Sequence, residues 1–161
     1  MTDKAKLFPK DILAAAQHAE RETGLLACIS LAQWADESGF GKYDMEANNF
    51  FGFKWYSGCP YPYVVRRTRE WIRGKYVTIE ARFIKFPSID VAFVEHAKLL
   101  MNPKGPYGRA LGLKDDWEKY IRKIAPIYAT EPKYADDLVD LINKYRLFDF
   151  NLPKQAPSAV S

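Results

Sequence analysis

The feature that most constrains this chain is an apolar stretch, Leu25–Ala32, that leads into Glu37 and then into Ser38-Gly39. Because nearly every position of the stretch is apolar, we expect a helix that is buried on most of its faces. Gly39 is suited to end that helix, since glycine readily adopts the left-handed conformation of a C-terminal cap. The sequence therefore predicts a buried central helix from about Leu25 to Ser38, with one carboxyl group at its end.

Two local features predict that Glu37 keeps its proton near neutral pH. It lies at the negative end of the helix dipole, which disfavours a further negative charge. Aromatic neighbours are placed to exclude water, and removal from water also raises the pKa of a carboxyl group. These neighbours are Trp34, Phe40, Phe50 and Phe51. A protonated carboxyl group can donate to a leaving-group oxygen, so Glu37 is our candidate general acid.

Composition indicates one domain with an anionic partner. The 161 residues are enough for a proper core, and we place the domain at residues 1–150. The net charge of +4 suits a cell-wall polymer, a nucleic acid or a membrane surface. The basic residues are dispersed apart from Arg66-Arg67-Thr68-Arg69, and no nucleic-acid-binding motif surrounds that cluster. We therefore expect no nucleic-acid partner, no membrane insertion and a monomer.

The ends of the chain and its cysteines are less informative. Polar residues interrupt the first helical segment, so we expect neither a cleavable export signal nor a membrane span. The tail from 151 to 161, rich in Pro, Ser and Ala, is expected to be disordered. Two cysteines, Cys28 and Cys59, make no disulfide framework, and whether they pair is left open.

Helical periodicity recurs on both sides of a segment with strand character. The strands, residues 63–71 and 75–86, are rich in β-branched and aromatic residues, and Arg73-Gly74 suits a hairpin turn. Further helices are predicted over residues 10–23, over 89–102 behind a Ser88 cap, over 115–125 with Pro126 as its end, and from a Thr130 cap to about 145. The predicted fold class is therefore α+β and mainly α, with a small hairpin lobe.

The sequence lacks the residues or motifs that several classes of catalytic site require. With only two histidines, the chain offers almost no residues for a histidine-based metal site or a Ser-His-Asp triad. No Cys/His ligand spacing, P-loop or dinucleotide fingerprint occurs. His96, on the inner stripe of a predicted helix, is interpreted as a hydrogen-bonded structural residue rather than a catalyst. We expect neither a metal nor an organic cofactor.

Glycosidases usually place two carboxyl groups across the scissile bond, so Glu37 needs a partner. A residue on a different element that faces the helix end is required. The hairpin offers Glu70 and Glu80. Asp36 and Glu46 are nearer in sequence, but Asp36 is adjacent to Glu37 on the helix and so points elsewhere. The residues alone leave the choice between the two hairpin carboxylates open.

Two sequence blocks, AQWADESGFGK and NNFFGFK, resemble the pattern of the N-acetylglucosaminidase domains of glycoside hydrolase family 73. Those domains occur in flagellar peptidoglycan hydrolases, autolysins and phage lysins. Further blocks resemble the family in the same order: Thr68-Arg69-Glu70, Phe83-Ile84-Lys85-Phe86 with Ser88, and residues 127–135. The resemblance covers about residues 25–145 and implies a lysozyme-like helical lobe with the hairpin flanking a cleft.

By position, the resemblance implies that Glu37 is the general acid and Glu70 the second carboxylate. It also implies that Tyr128 lies beside the reacting sugar. The residues that would bind substrate are Phe50, Phe51 and Trp55 in the cleft floor, and Trp71, Tyr107, Tyr56, Tyr61 and Tyr63 as candidates for stacking on sugar faces. Asp36 departs from the family pattern and would raise the pKa of Glu37 further if the two carboxyl groups approach.

The implied function is hydrolysis of β-1,4 bonds in peptidoglycan glycan strands by an endo-β-N-acetylglucosaminidase. Glu70 would activate water, act as a nucleophile, or support attack by the substrate's acetamido oxygen. The alternatives are a lytic transglycosylase or muramidase of the same general fold, and a non-catalytic wall-binding or virion-structural module. A small basic protein without an export signal is interpreted as a phage or prophage endolysin. It would be made in the host cytoplasm and released through a separate pore to act on the wall.

Overall fold

The central helix forms as predicted, and the other helices pack around it. The computed structural model describes residues 3–43 and 46–154. Within these ranges the helices are α1 (Asp3–Leu7), α2 (Lys10–Thr23), α3 (Ala27–Ser38), α4 (Ile89–Met101), α5 (Trp117–Tyr128) and α6 (Tyr134–Tyr145). Strands β1 (Tyr63–Ile72) and β2 (Lys75–Ile84) form a hairpin, and 3-10 helices cover Gly108–Leu113 and Leu147–Phe150. This mainly helical α+β architecture confirms the predicted fold class.

α3 is the core of the helical body because small and apolar side chains occupy nearly all of its faces. Trp34 is buried edge-on against Phe40 and Phe50, and Phe8 packs against the same indole. The helix begins at Ala27 rather than at Leu25, since Leu26 has an extended backbone. Burial on this scale makes α3 a rigid support for whatever lies at its C-terminal end.

The first N–H groups of α3 are satisfied by two distant side chains, as buried helix ends require. Ala27 N donates to Glu20 Oε1 at 2.9 Å, and Cys28 N donates to Asn151 Oδ1 at 2.8 Å. Leu152 N donates to the other carboxylate oxygen of Glu20 at 2.9 Å. Asn151 and Leu152, which we assigned to the tail, are therefore fixed to the helical body. Residues 155–161 lie outside the described residues, so disorder there stays a prediction.

The C-terminal end of α3 is fixed by a close approach of the backbone to Trp34. Gly41 has a φ of +83°, and a Cβ there would lie 2.9 Å from the Trp34 indole. Its N–H donates to Ser38 Oγ at 2.8 Å. The chain can therefore turn away immediately after the helix only because position 41 lacks a side chain.

We expect Gly41→Ala to lower the free energy of unfolding by about 1–3 kcal/mol, because both the backbone angle and the contact with Trp34 are strained. Denaturant unfolding followed by tryptophan fluorescence measures the loss. Gly58→Ala is the matched control, since Gly58 has a φ of +91° and open space around it. Equal losses in the two variants would show that the approach to Trp34 contributes nothing.

The hairpin forms with the predicted turn. Arg73 and Gly74 have φ values of 50° and 82°, and two consecutive positive φ angles are what a two-residue type I′ turn requires. Tyr63 pairs with Ile84 and Ile72 pairs with Lys75, so the register is continuous over both strands. Alternate residues of β1 are exposed and half-buried, which gives the hairpin one outer face and one inner face.

Asn49 fastens the base of the hairpin to the helical body. Its buried Nδ2 donates to the carbonyl oxygens of Phe53 and Ile84 at 2.8 and 2.9 Å. Its Oδ1 accepts from Phe53 N at 2.9 Å. Lys54 then bridges to Phe83 of β2. One buried amide therefore sets the position of both the loop before the hairpin and the end of β2.

Two predicted helix boundaries were wrong. α5 continues through Pro126 to Tyr128, because a proline in the last turn removes only one helical hydrogen bond and the chain ends its helix soon after. Thr130 does not cap α6, which begins at Tyr134 after Lys133. By contrast, Ser88 Oγ accepts from Val91 N at 3.1 Å, which confirms the predicted cap of α4.

None of the described helices has both the length and the apolar character needed to cross a membrane. The two thiols are free: Cys28 is buried in α3 and Cys59 is half-buried in the loop before β1. Burial raises the pKa of Cys28 to about 12, so it remains a neutral thiol that fills space in the core.

Candidate active site

Glu37 lies in the last turn of α3, and its carboxyl group lies between two tyrosine hydroxyls. Tyr128 Oη donates to Oε2 at 3.2 Å, and Tyr134 Oη donates to Oε1 at 3.0 Å. The two tyrosine rings are stacked, with centroids 5.7 Å apart and planes 4° from parallel. Because Tyr128 ends α5 and Tyr134 begins α6, the connection between these helices brings both hydroxyls to the same carboxyl group.

Burial dominates the electrostatics of this carboxyl group. Removal from water raises the pKa of Glu37 to about 8, and the charge of Asp36 acts in the same direction. Hydrogen bonds from Tyr134 and Tyr128 oppose the rise, because they stabilise the carboxylate. The raised pKa agrees with the sequence-based prediction that Glu37 remains protonated at neutral pH.

Sequence reasoning did not predict the hydrogen-bond partners of this carboxyl group. Trp34, Phe40 and Phe50 pack with one another in the core. The hydrogen-bond partners of the carboxyl group are Tyr128 and Tyr134. Sequence reasoning gave Tyr134 no role in the site and so missed its contact with Glu37. The signal that was available is its place in the family-like block at residues 127–135.

Gln33, one turn before Glu37 on α3, also belongs to this group. It is fully buried, and its Nε2 donates to Tyr134 Oη at 3.1 Å. Residues four apart on a helix share a face, which explains why Gln33 and Glu37 reach the same tyrosine. The i, i+4 spacing of a buried amide and a carboxyl is a second signal that sequence reasoning did not use.

Further aromatic rings pack against Tyr128. Tyr107 lies with its ring centroid 5.9 Å from that of Tyr128, and His96 meets Tyr128 edge-on at 6.2 Å. Phe51 stacks on His96 at 3.8 Å. The burial of Tyr128 and the nearby charge of Glu37 raise the pKa of Tyr128 well above its ordinary value, so its hydroxyl keeps its proton.

His96 is buried, as we expect of a structural residue, but the hydrogen bond that we predicted for it is absent among the described residues. It is fully buried, and neither ring nitrogen has a hydrogen-bond partner among the described residues. Burial lowers its pKa to about 3, so the ring is neutral. Its contribution is the flat surface that it offers to Phe51.

Glu70 lies on the inner, half-buried face of the hairpin. Its Oε1 is 2.6 Å from Lys54 Nζ, which links β1 to the loop that precedes the hairpin. An exposed pair of this kind contributes at most about 1 kcal/mol to stability, so its main effect is to orient the carboxylate. Glu80, the other candidate on the hairpin, lies on the exposed outer face opposite Arg67. Of the two hairpin carboxylates, Glu70 is therefore the one turned toward the protein.

The candidate substrate-binding residues fall into separate groups. Phe50 and Phe51 are buried in the core, and Tyr107 contacts Tyr128. Trp55 packs against Tyr63 at the base of the hairpin, and its Nε1 donates to the carbonyl of Tyr61 at 3.0 Å.

Two further candidates are exposed. Trp71 is 63% exposed near the hairpin tip and packs against Tyr76 on the outer face. Tyr56 is exposed in the loop between Trp55 and Cys59. Because Trp71 follows Glu70 directly, their side chains point to opposite faces of the hairpin.

The described part of the chain contains no cluster of metal-ligating side chains. No group of three or more His, Cys, Asp or Glu side chains there is arranged to hold an ion. The Glu37 carboxyl group, buried and hydrogen bonded to two tyrosine hydroxyls, offers proton transfer as its chemistry.

Comparison with known proteins identifies the family. The family described as "Mannosyl-glycoprotein endo-beta-N-acetylglucosaminidase" (Glucosaminidase) matches residues 13–147. The chain is 30% identical over 156 residues to the exo-glucosaminidase LytG of Bacillus subtilis, covering 92% of this chain and 54% of that protein. It is 29% identical over 160 residues to a probable N-acetylmuramidase of Lactococcus lactis, covering 93% of this chain and 36% of the relative.

The fold is also that of a solved relative. The catalytic domain of the autolysin Auto from Listeria monocytogenes superposes with a TM-score of 0.80 at 26% identity, covering 93% of this chain and 89% of that one. The chain spans only part of the longer relatives named above: 54% of the length of LytG and 36% of the length of the Lactococcus protein. On the family match, this chain belongs to the glucosaminidase family of glycoside hydrolases, family 73.

Proposed function

We propose that this chain hydrolyses the β-1,4 bond between N-acetylglucosamine and N-acetylmuramic acid in peptidoglycan, with Glu37 as its general acid. The observation that carries the proposal is the Glu37 carboxyl group, held between Tyr128 and Tyr134 with a pKa of about 8. Relatives named as an exo-glucosaminidase, a probable N-acetylmuramidase and an autolysin support a cell-wall glycan as substrate. The positive net charge of +4 suits an anionic wall.

Two opposing effects on the Glu37 carboxyl group, burial and hydrogen bonding from the tyrosines, prepare it for proton transfer. Burial keeps Glu37 protonated until a glycosidic oxygen arrives, and the proton then moves to that oxygen as the sugar becomes oxocarbenium-like. The carboxylate that remains accepts hydrogen bonds from Tyr128 and Tyr134. These hydroxyls therefore stabilise a negative charge that forms only as the bond breaks, which is how preorganised donors lower a barrier.

Glu70 is the proposed second carboxylate, and three routes are open to it. It activates a water molecule with inversion when the two carboxyl groups are about 6.5–9.5 Å apart in the working enzyme, or attacks directly when they are about 5–5.5 Å apart. In the third route the substrate's acetamido oxygen attacks, and Glu70 or Tyr128 orients it. The pairing of Glu70 with Lys54 supports a carboxylate held in one orientation on the hairpin.

Activity should fall on the alkaline side with an apparent pKa near 8. Because the pKa of Glu37 is raised above the ordinary value of 4.5, the acid is protonated below pH 8 and loses its proton above it. Initial rates on soluble glycan fragments between pH 5 and 10 measure kcat/KM. A profile that stays flat to pH 10 would contradict the proposed role of Glu37.

The experiment that tests the function is mass spectrometry of the reducing ends after digestion of purified sacculi. Reducing N-acetylglucosamine is the product that the proposal requires. Reducing N-acetylmuramic acid would identify a muramidase, the second candidate, which the name of the Lactococcus relative favours. Anhydro-muramic ends would identify a lytic transglycosylase, and absence of any product would identify a non-catalytic module.

We further propose that the protein serves as a phage or prophage endolysin that reaches the wall from the host cytoplasm through a separate pore. Its positive charge would favour contact with the wall once it is released. Expression in the host with and without a pore-forming protein tests this setting. Lysis only when the pore is present supports it, and lysis without the pore contradicts it.

A further inference from the structure

Gln33 is the buried side chain whose chemistry the proposed mechanism has not yet used. It has no exposed surface, and its Nε2 lies 3.1 Å from Tyr134 Oη. Tyr134 Oη in turn lies 3.0 Å from Glu37 Oε1. The amide, the hydroxyl and the carboxyl group form one hydrogen-bonded chain between α3 and α6.

The directions of the hydrogens along this chain follow from the orientation of the Gln33 amide, whose Nε2 faces Tyr134 and whose Oε1 is buried with no hydrogen-bond partner among the described residues. A tyrosine hydroxyl carries one hydrogen and two lone pairs. Gln33 Nε2 can only donate, so it uses a lone pair of Tyr134, and the hydroxyl hydrogen remains for Glu37 Oε1. If Tyr134 instead accepted from Glu37 as well, its own hydrogen would be buried without a partner, which costs about 1–3 kcal/mol.

We propose that Gln33 is a positioning residue that holds the hydroxyl of Tyr134 as a donor to Oε1 of Glu37 and so confines the acid proton to Oε2. An oxygen that accepts from Tyr134 acts as the carbonyl oxygen of the protonated carboxyl group, and the proton must then reside on the other oxygen. The inference deepens the proposed function, because it rests on Glu37 as the proton donor.

Tyr128 completes the arrangement on the other oxygen. Within the described residues its hydroxyl makes one hydrogen bond, with Glu37 Oε2 at 3.2 Å. No second partner there restrains its rotation, so it can accept from Oε2 before transfer and donate to Oε2 afterwards. Tyr134 cannot exchange roles in this way, because Gln33 Nε2 already donates to it and its own hydrogen would then be buried without a partner. The two tyrosines that flank Glu37 therefore have different tasks.

Other groups near the carboxyl stay constant when Gln33 is replaced. Asp36 on α3 raises the pKa of Glu37, and Asp137 on α6 acts on Asp36. The remaining titratable groups that face Glu37 or its tyrosines are Tyr107, Tyr128, Tyr134 and the neutral His96. A change in the titration of Glu37 in a Gln33 variant therefore reports the hydrogen-bonded chain.

Gln33→Met removes the donor while keeping the length of the side chain. Without the amide, Tyr134 is a weaker donor to the carboxylate, so the pKa of Glu37 should rise by about half a unit. With the proton no longer confined to one oxygen, kcat should fall about 3- to 10-fold. Carbon-13 NMR of the glutamate carboxyl groups measures the titration in the free enzyme, and the alkaline limb of kcat/KM should move with it.

The double variant separates positioning from structural support. In a Tyr134→Phe background, Gln33→Met should change neither the titration of Glu37 nor kcat, because the two residues act in series. Equal effects of Gln33→Met in both backgrounds would overturn the inference. Gln17→Met is the matched control: it removes a similar bond, from Gln17 Nε2 to the Phe150 carbonyl at 3.0 Å, away from the site, and should leave both readouts unchanged. Gln33→Leu replaces Gln33→Met if the latter does not fold.

A measurement on the unaltered protein gives an independent test. The side-chain amide nitrogen of Gln33 should titrate with the midpoint of Glu37, near pH 8. An amide signal that does not change across that midpoint would overturn the inference. Neither NMR readout depends on turnover. A fully active Glu37→Gln variant would therefore refute the proposed function without affecting the NMR result.

Discussion

Glu37→Gln should lower kcat/KM by about 10²–10⁴, which is the usual contribution of a positioned general acid. Glutamine is nearly isosteric with the protonated acid and can bond to both Tyr128 and Tyr134, so the geometry of the site should be kept. It has no acidic proton to give to the glycosidic oxygen. The measurement is the initial rate of release of reducing ends from a soluble glycan fragment, with the wild-type protein at the same pH.

Glu37→Gln should raise the free energy of unfolding above pH 8, although it lowers activity. Because the pKa of Glu37 is raised to about 8 in the folded protein, the wild-type protein loses stability as pH rises from the ordinary value of 4.5 toward 8. Glutamine carries no charge to bury, so Glu37→Gln should be the more stable protein above pH 8.

Asp36→Asn is the matched control for the rate measurement and should change the rate by less than about threefold, since Asp36 affects Glu37 only through its charge. Wild-type turnover by Glu37→Gln would exclude Glu37 as the acid.

Glu70→Gln should lower kcat by about 10- to 10³-fold if Glu70 activates water or attacks the sugar directly. Glu80→Gln provides the control, because Glu80 lies on the same hairpin with its side chain on the outer face. Lys54→Met should have a smaller effect, by releasing the Glu70 carboxylate from its partner at 2.6 Å.

The stereochemistry of the product completes the test of Glu70. Proton NMR of the first anomer released distinguishes inversion from retention. Inversion together with a large loss in Glu70→Gln assigns water activation, and retention with a large loss assigns a nucleophile. Retention with a loss of less than about tenfold assigns attack by the acetamido oxygen. Unchanged turnover in Glu70→Gln would remove this residue from the mechanism.

The parts of the fold that sequence predicted are those set by local pattern. The apolar run of α3 admits only a buried helix, and Arg73-Gly74 between two β-branched segments admits only a tight hairpin turn. Ser88 is followed by a helix that its side chain caps. The position of Glu37 at the end of a buried helix follows from the same local rules, and so does its tendency to stay protonated.

The parts that sequence missed depend on packing between distant segments. Tyr134 reads as an apolar helix residue until α5 and α6 bring it to Glu37, 97 residues away in the chain. The extension of α5 past Pro126 carries Tyr128 to the same place. Gln33 and Lys54 likewise find their partners, Tyr134 and Glu70, through tertiary contacts. Propensity cannot reveal such partners, because a buried polar group is interpretable only once its partner is known.

A direct titration of the Glu37 carboxyl group is the measurement that tests the central claim, that burial beside two tyrosines keeps this acid protonated for catalysis. The carbon-13 signal of Glu37, assigned by its absence in Glu37→Gln, should titrate in the free enzyme with a midpoint near pH 8. That midpoint should coincide with the alkaline limb of kcat/KM. A midpoint near the ordinary value of 4.5, with activity persisting above it, would contradict the claim.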